Sequence, residues 1–168
     1  MLTLLPEKRK VGLLKFILPN NRTTVNHFIG RVIIMQVPVN YLAVLVAAIA
    51  SYVIASVWYG VVFRKLWMQL TNISEMKPTP NSIIIVFVGT LLMSYVLDHS
   101  IAFGNAYMHT SGLASGLQGG FFNWLGFIAP LTVTGVVYEK RSWKLWALDN
   151  GFWLLSLLVM GAILSSWV

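Results

Sequence analysis

Asp98 is the residue in this chain whose type and setting most need a chemical reason. It follows the apolar run IIIVFVGTLLMSYVL and is itself followed by His99. On insertion scales an ionisable side chain in the middle of a membrane helix costs about 2.5–3.5 kcal/mol. A carboxylate there could hold a cation or a proton, and His99 could act beside it as a proton shuttle or pH sensor. Adjacent helix positions point about 100° apart, so the two cannot both face one ligand, which argues against a two-residue metal site. Asn105 lies seven positions on, on the face of Asp98, and Gln118 and Asn123 open the next apolar segment from the same side. At about 1.5 Å per residue Asp98 stands some ~24 Å along its helix, which places all five polar groups at similar depth toward one end of a bundle. They read as a polar vestibule facing outward, or as a hydrogen-bond cluster that fastens two helices together.

Asp149 and Asn150 form a second polar pair, near the start of the last apolar segment. A carboxylate in the first turn of a helix is favoured by the helix dipole, and Asp149 there is within reach of Lys144 or Arg64. It reads as an interfacial ion pair, or alternatively as an inner gate or ligand contact. Arg64, Lys65, Lys140, Arg141, Lys144 and Asp149 together mark one interface.

No constellation for covalent or metal chemistry appears. His99 and His109 stand ten residues apart without an acidic pair at ligand spacing, and His27 lies in the basic N-terminal stretch. There is no HExxH, phosphate loop or GxSxG. Ser94 or Ser100 beside Asp98-His99 resembles a triad only by coincidence. The chain has no cysteine, which excludes disulfides, thiolate metal sites and thiol nucleophiles. Neither catalytic residues, a metal nor a cofactor is expected. An enzyme acting on lipid or quinone has no residue pattern behind it.

The elements that must position these side chains are set by hydrophobicity. The 168 residues are 57% hydrophobic and 10% charged, with mean hydropathy +0.74, whereas soluble domains carry about 45–50% apolar and about 25% charged residues. The expectation is an all-α polytopic membrane protein, a bundle of four transmembrane helices over about 39–63, 82–107, 116–138 and 145–167. Residues 64–81 read as a loop containing Lys77, Pro78 and Pro80, a Gly- and Ser-rich turn covers Met108 to Ser115, and 139–144 reads as a charged hairpin. GVVFRKLWMQL also reads as a short amphipathic piece lying partly in the interface. Pro130 should bend the third span. Small residues at spacing four, Ala43, Ala47, Ser51 and Ala55 in the first span and Gly112, Gly116 and Gly120 at the start of the third, suit close helix packing within the chain or between copies. Trp58, Tyr59, Trp67, Trp143 and Trp146 suit an aromatic belt near the basic loops.

The formal charge is +7. Beyond residue 38 every Lys and Arg lies in the first or third connection, so that side is expected to be cytoplasmic, with the C-terminus outside, as in a cell inner membrane. Lys8, Arg9, Lys10, Lys15, Arg22 and Arg31 oppose this by holding the first span N-terminus-in. One resolution is that 1–34 is a basic extension outside the working domain, which then starts at Met35 and covers 35–168. Others are a cytoplasmic amphipathic segment with the opposite topology, or a tail that crosses despite its charge. Basic residues are not interleaved with aromatics in any soluble domain, so nucleic acid is not an expected partner. The lipid bilayer is, and a homo-oligomer is open; soluble partners cannot be named. An internal repeat is another open reading: Asn40-Tyr-Leu-Ala, Gly60-Val-Val-Phe and Lys65-Leu-Trp recur in order as Asn123-Trp-Leu-Gly, Gly135-Val-Val-Tyr and Lys144-Leu-Trp. That arrangement would make two tandem helical hairpins.

The segments VNYLAVLVAAIASYVIASVWYGVVFRKLWM and NWLGFIAPLTVTGVVYEKRSWKLWALDNGFWLLSLLVMGAILSSW resemble the first and the last two helices of the bacterial and archaeal family called domain of unknown function 1761. The resemblance covers about residues 37–167. It implies a four-helix membrane protein whose members begin near the position of Met35, and it brings no activity or catalytic residues. Function is therefore expected from the residues alone: a small transporter or channel-like protein for an ion or small solute, or else a non-catalytic partner, assembly or stress protein of the membrane.

Overall fold

The computed structural model describes residues 39–75 and 77–167. The basic extension and the start at Met35 lie outside the described residues. Helix α1 spans Tyr41–Val57 and begins where the Asn40 side chain accepts hydrogen bonds from the Leu42 and Ala43 N–H groups, satisfying donors that a first turn leaves unpaired. A π-helical turn, Trp58–Val62, continues it and closes with Phe63 N–H donating to the Trp58 carbonyl at 2.8 Å. Helix α2, Arg64–Thr71, then stops at Asn72, which adopts left-handed backbone at φ 56°. The expectation of a loop over 64–81 is corrected here. Its first eight residues are helical, because an apolar face of Trp67 and Met68 can pack while Arg64 and Lys65 stay exposed.

Helix α3, Pro80–Met108, starts at a reciprocal cap between Thr79 and Ser82 with Pro80 in its first turn, and ends at His109 in left-handed backbone. The third span is built of α4, Leu113–Asn123, a π-helical turn at Trp124–Ile128, and α5, Ala129–Val137. The π turn lies directly before Pro130. A helical proline has no N–H to give, and its ring crowds the carbonyl four residues back, here Gly126; a widened turn relieves both. Helix α6, Trp143–Ser166, is capped by the Ser142 side chain, which accepts from Leu145 N–H at 3.1 Å.

Among the described residues four helices are long and apolar enough to cross a membrane: Tyr41–Val62, Pro80–Met108, Leu113–Val137 and Trp143–Ser166, of 22, 29, 25 and 24 residues. At 1.5 Å per residue even the shortest reaches about 33 Å, against about 30 Å of bilayer hydrocarbon. Their outward faces are apolar. Ile85, Leu92, Phe127 and Leu131 are each more than 60% exposed, a surface that water would not tolerate as one contiguous patch and that acyl chains solvate without penalty. This is an all-α helical bundle with the character of an integral membrane protein.

Packing radiates from α6, whose most apolar stretch is 44% buried, against 11–28% for the other spans. The α4–α6 contact is backbone on backbone. A Cβ added at Gly116 would strike the Gly161 carbonyl and the Ser165 side chain, one at Gly120 the Leu157 carbonyl, and one at Gly161 the Gly116 carbonyl. Gly116 and Gly120 thus serve a contact within the chain. On α1, Ala43, Ala47 and Ser51 are buried and Ala55 half-buried. Helices α1 and α3 run antiparallel, joined by Ser94 Oγ donating to the Val44 carbonyl at 2.9 Å and by the Tyr52–Phe87 edge contact at 6.0 Å. The core cluster is Ala43, Val44, Ala47, Leu97, Ile101, Leu157, Met160 and Leu164. At the end opposite the basic residues, Asn40 Nδ2 donates to the Trp167 carbonyl at 3.1 Å and ties the first span to the last.

Candidate functional site

The five polar residues expected to form one vestibule lie at the same end of the bundle but take separate partners. Asp98 is 7% exposed, one turn beyond Ser94 on the face of α3 that also buries Leu97 and Ile101. Its Oδ2 is buried without a hydrogen-bond partner. His99 turns to its own helix: Nδ1 lies 2.9 Å from the Tyr95 carbonyl, and the ring packs against Tyr95 and Phe103. Asn123 Nδ2 donates to Ser100 Oγ at 2.9 Å and to the Gly119 carbonyl at 2.8 Å, which is the polar tie between α3 and α4. Asn105 Oδ1 accepts from Thr110 Oγ1 at 3.2 Å in the connection that follows α3. Gln118 is exposed. Among the described residues no hydrogen bond joins any two of the five. Ser100 lies two positions from Asp98, nearly the opposite side of the helix, so the face that reaches Asn123 is not the face that carries Asp98.

The basic end holds a better-formed site. A cleft of about 280 Å³ opens there between α5 and α6, lined by Thr132, Thr134, Glu139, Arg141, Trp146, Asp149, Asn150 and Trp153, with Gly135, Val136 and Leu145. Asp149 is half-buried and accepts from the Tyr59 hydroxyl at 2.9 Å. Tyr59 is fixed in turn by edge contacts with Trp67 of α2 at 5.7 Å and Phe152 at 5.1 Å. Asn150, 3% exposed, donates through Nδ2 to Thr132 Oγ1 at 2.9 Å and to the Trp146 carbonyl at 3.0 Å. Its Oδ1 is buried with no partner, as is Trp146 Nε1.

Two expectations about Asp149 change. It lies in the second turn of α6, not the first, because the Ser142 cap starts that helix at Trp143. Nor does an ion pair join it to Lys144 or Arg64. The two ion pairs among the described residues are Lys77–Glu75 at 2.8 Å and Arg141–Glu139 at 2.7 Å, both exposed. Lys65, Lys140 and Lys144 are exposed. Trp146, expected in an aromatic belt, and Thr132, which was not singled out, line the cleft, and Tyr59, also expected in the belt, holds Asp149 at its edge. The signal available for Tyr59 was its place in the last turns of a span that ends at the same basic side as Asp149.

The family of proteins of unknown function DUF1761 matches residues 42–165. The chain belongs to this family. The match takes in all four spans of this DUF1761 protein, and both Asp98 and the cleft around Asp149 fall within it. No curated protein and no solved structure matches the chain.

Proposed function

We propose that this DUF1761 protein moves a proton or small cation across the inner membrane, with Asp98 as the group that takes up the ion. The observation behind this reading is a carboxylate inside a membrane-spanning helix that is buried and leaves Oδ2 without a hydrogen-bond partner. Such a group is expensive in lipid and makes no bond that would explain it as glue between helices. The basic end of the bundle is read as cytoplasmic, because Lys and Arg favour that side, so Asp98 stands toward the outside.

The close α4–α6 backbone contact leaves no room between those helices. That supports a pathway shared between copies of the chain rather than one threading a single copy. The test is flux in reconstituted vesicles. Asp98→Asn, which removes the charge at nearly constant shape, should abolish proton- or cation-driven flux while thermal unfolding stays near the wild-type value. Unchanged flux in a folded Asp98→Asn protein overturns the proposal. In that case a non-catalytic partner role becomes the better reading, and co-purification of a stable membrane partner would support it.

A further inference from the structure

The cleft at the basic end is a second site, independent of Asp98, and we infer that it binds a primary ammonium group carrying a hydrogen-bond acceptor one or two carbons away. Three features point to this chemistry. The first is charge. The cleft is lined by the carboxylates of Asp149 and Glu139 and the guanidinium of Arg141. Arg141 is taken up by Glu139, at 2.7 Å from both Nε and a terminal nitrogen. Asp149 has no cation paired with it among the described residues and accepts only the Tyr59 hydroxyl. A carboxylate with no ion-pair partner thus lines the cleft, with the nearby Arg141 guanidinium directed to Glu139.

The second feature is a matched pair of unused groups. Asn150 Oδ1 can only accept and Trp146 Nε1 can only donate. Both are buried without partners, in residues lining the same cleft. A buried polar atom left unpaired is costly, so a molecule that offers a donor to one and an acceptor to the other is favoured. A primary ammonium has three N–H donors, enough for the Asp149 carboxylate and Asn150 Oδ1 together, and a neighbouring hydroxyl or phosphate oxygen would take the Trp146 N–H. A quaternary ammonium has no donor to give.

The third feature is size and place. About 280 Å³ lies just below the usual range for drug-sized ligands and suits a headgroup or small amine. The cleft reaches the hairpin residues Glu139 and Arg141, beside the exposed rings of Tyr138 and Trp143, the depth at which lipid headgroups meet an aromatic belt. The same ammonium chemistry comes from an ethanolamine lipid headgroup or from a free amino alcohol.

Calorimetric titration of the purified full chain in a maltoside detergent tests the site with ethanolamine, ethylamine and choline as probes. Saturable ethanolamine binding is expected, with choline weaker by about tenfold or more and Asp149→Asn weakening ethanolamine to a similar degree. Trp146→Phe should erase the preference for ethanolamine over ethylamine, which lacks the acceptor. Should Asp149→Asn fail to fold, Tyr59→Phe serves instead: it keeps the carboxylate and frees Oδ1, so affinity should be retained or raised. Repeating the titration in nanodiscs separates the sources. Loss of binding in phosphatidylethanolamine discs but not in phosphatidylglycerol discs identifies the lipid headgroup, and equal binding in both identifies a free solute. Absence of saturable ethanolamine binding, choline binding as tightly, or loss of binding in folded Tyr59→Phe overturns the inference.

Discussion

At the scale of single residues, the two membrane carboxylates differ in what holds them. Asp149 is anchored by Tyr59, 90 positions away in the chain, at 2.9 Å. Hydrogen bonds between membrane helices average about 0.6 kcal/mol and reach about 1.7 kcal/mol, so Tyr59→Phe should lower stability by about 0.5–1.5 kcal/mol, read as a small drop in thermal midpoint in detergent. A loss several times larger would mean that the ring's contacts with Trp67 and Phe152 had also been disturbed. Asp98 presents the opposite case. Its Oδ2 has no partner, so replacing the carboxylate by an apolar side chain of similar size removes a buried charge without breaking a helix–helix bond. Asp98→Leu should therefore leave stability unchanged or raise it by about 1 kcal/mol or more, as with other buried ionic groups replaced by apolar ones. A marked fall in thermal stability would assign Asp98 a structural role instead. The sequence placed Asp98 within an apolar span and Asp149 at the interfacial start of another. Which of them had a partner was not legible, because the partner of Asp149 lies on another helix and its identity depends on how that helix is rotated.

At the scale of elements, the tightest constraint is the glycine seam between α4 and α6. The glycines there differ sharply from Gly89, Gly104 and Gly126. Gly116→Ala, Gly120→Ala and Gly161→Ala would each drive a Cβ into backbone or a packed side chain, and such overpacking costs about 1–3 kcal/mol or more. Gly89→Ala, Gly104→Ala and Gly126→Ala meet nothing within 4 Å and should be neutral, or stabilising by about 0.5–1 kcal/mol through helix propensity. Thermal unfolding of the six variants in one detergent checks the contrast; a uniform response across both groups would contradict the packing. Spacing-four small residues made this seam visible in the sequence for Gly116 and Gly120. Gly161 was not singled out, although Ser165 stands four positions on, and it becomes meaningful only where α4 crosses it. Nor did the sequence reveal the two π-helical turns. Pro130 announced a disturbance in the third span, but the widened turn lies ahead of it, where the ring would otherwise crowd the Gly126 carbonyl.

For the whole molecule, four spans require the connections to alternate sides. The absence of cysteine makes single introduced cysteines clean reporters. Thr110→Cys, between α3 and α4, and Lys140→Cys, between α5 and α6, should be labelled from opposite faces of intact vesicles by an impermeant thiol reagent. Labelling of both from one face would contradict four spans. Labelling of Lys140→Cys from the cytoplasmic face would support the sidedness proposed from the basic residues. The sequence alone determined that four runs are long and apolar enough to span a bilayer, because about 20 apolar residues in a helix match the hydrocarbon thickness whatever their neighbours are. It also determined which end of the bundle is basic. The tertiary structure decided which polar groups meet: Tyr59 with Asp149, Asn150 with Thr132, Asn123 with Ser100 and not with Asp98. The reason is physical. A helix bathed in lipid is apolar on its outer face as well as its inner one, so no periodicity marks the side that turns inward. That rotation is set by where small residues let two backbones touch.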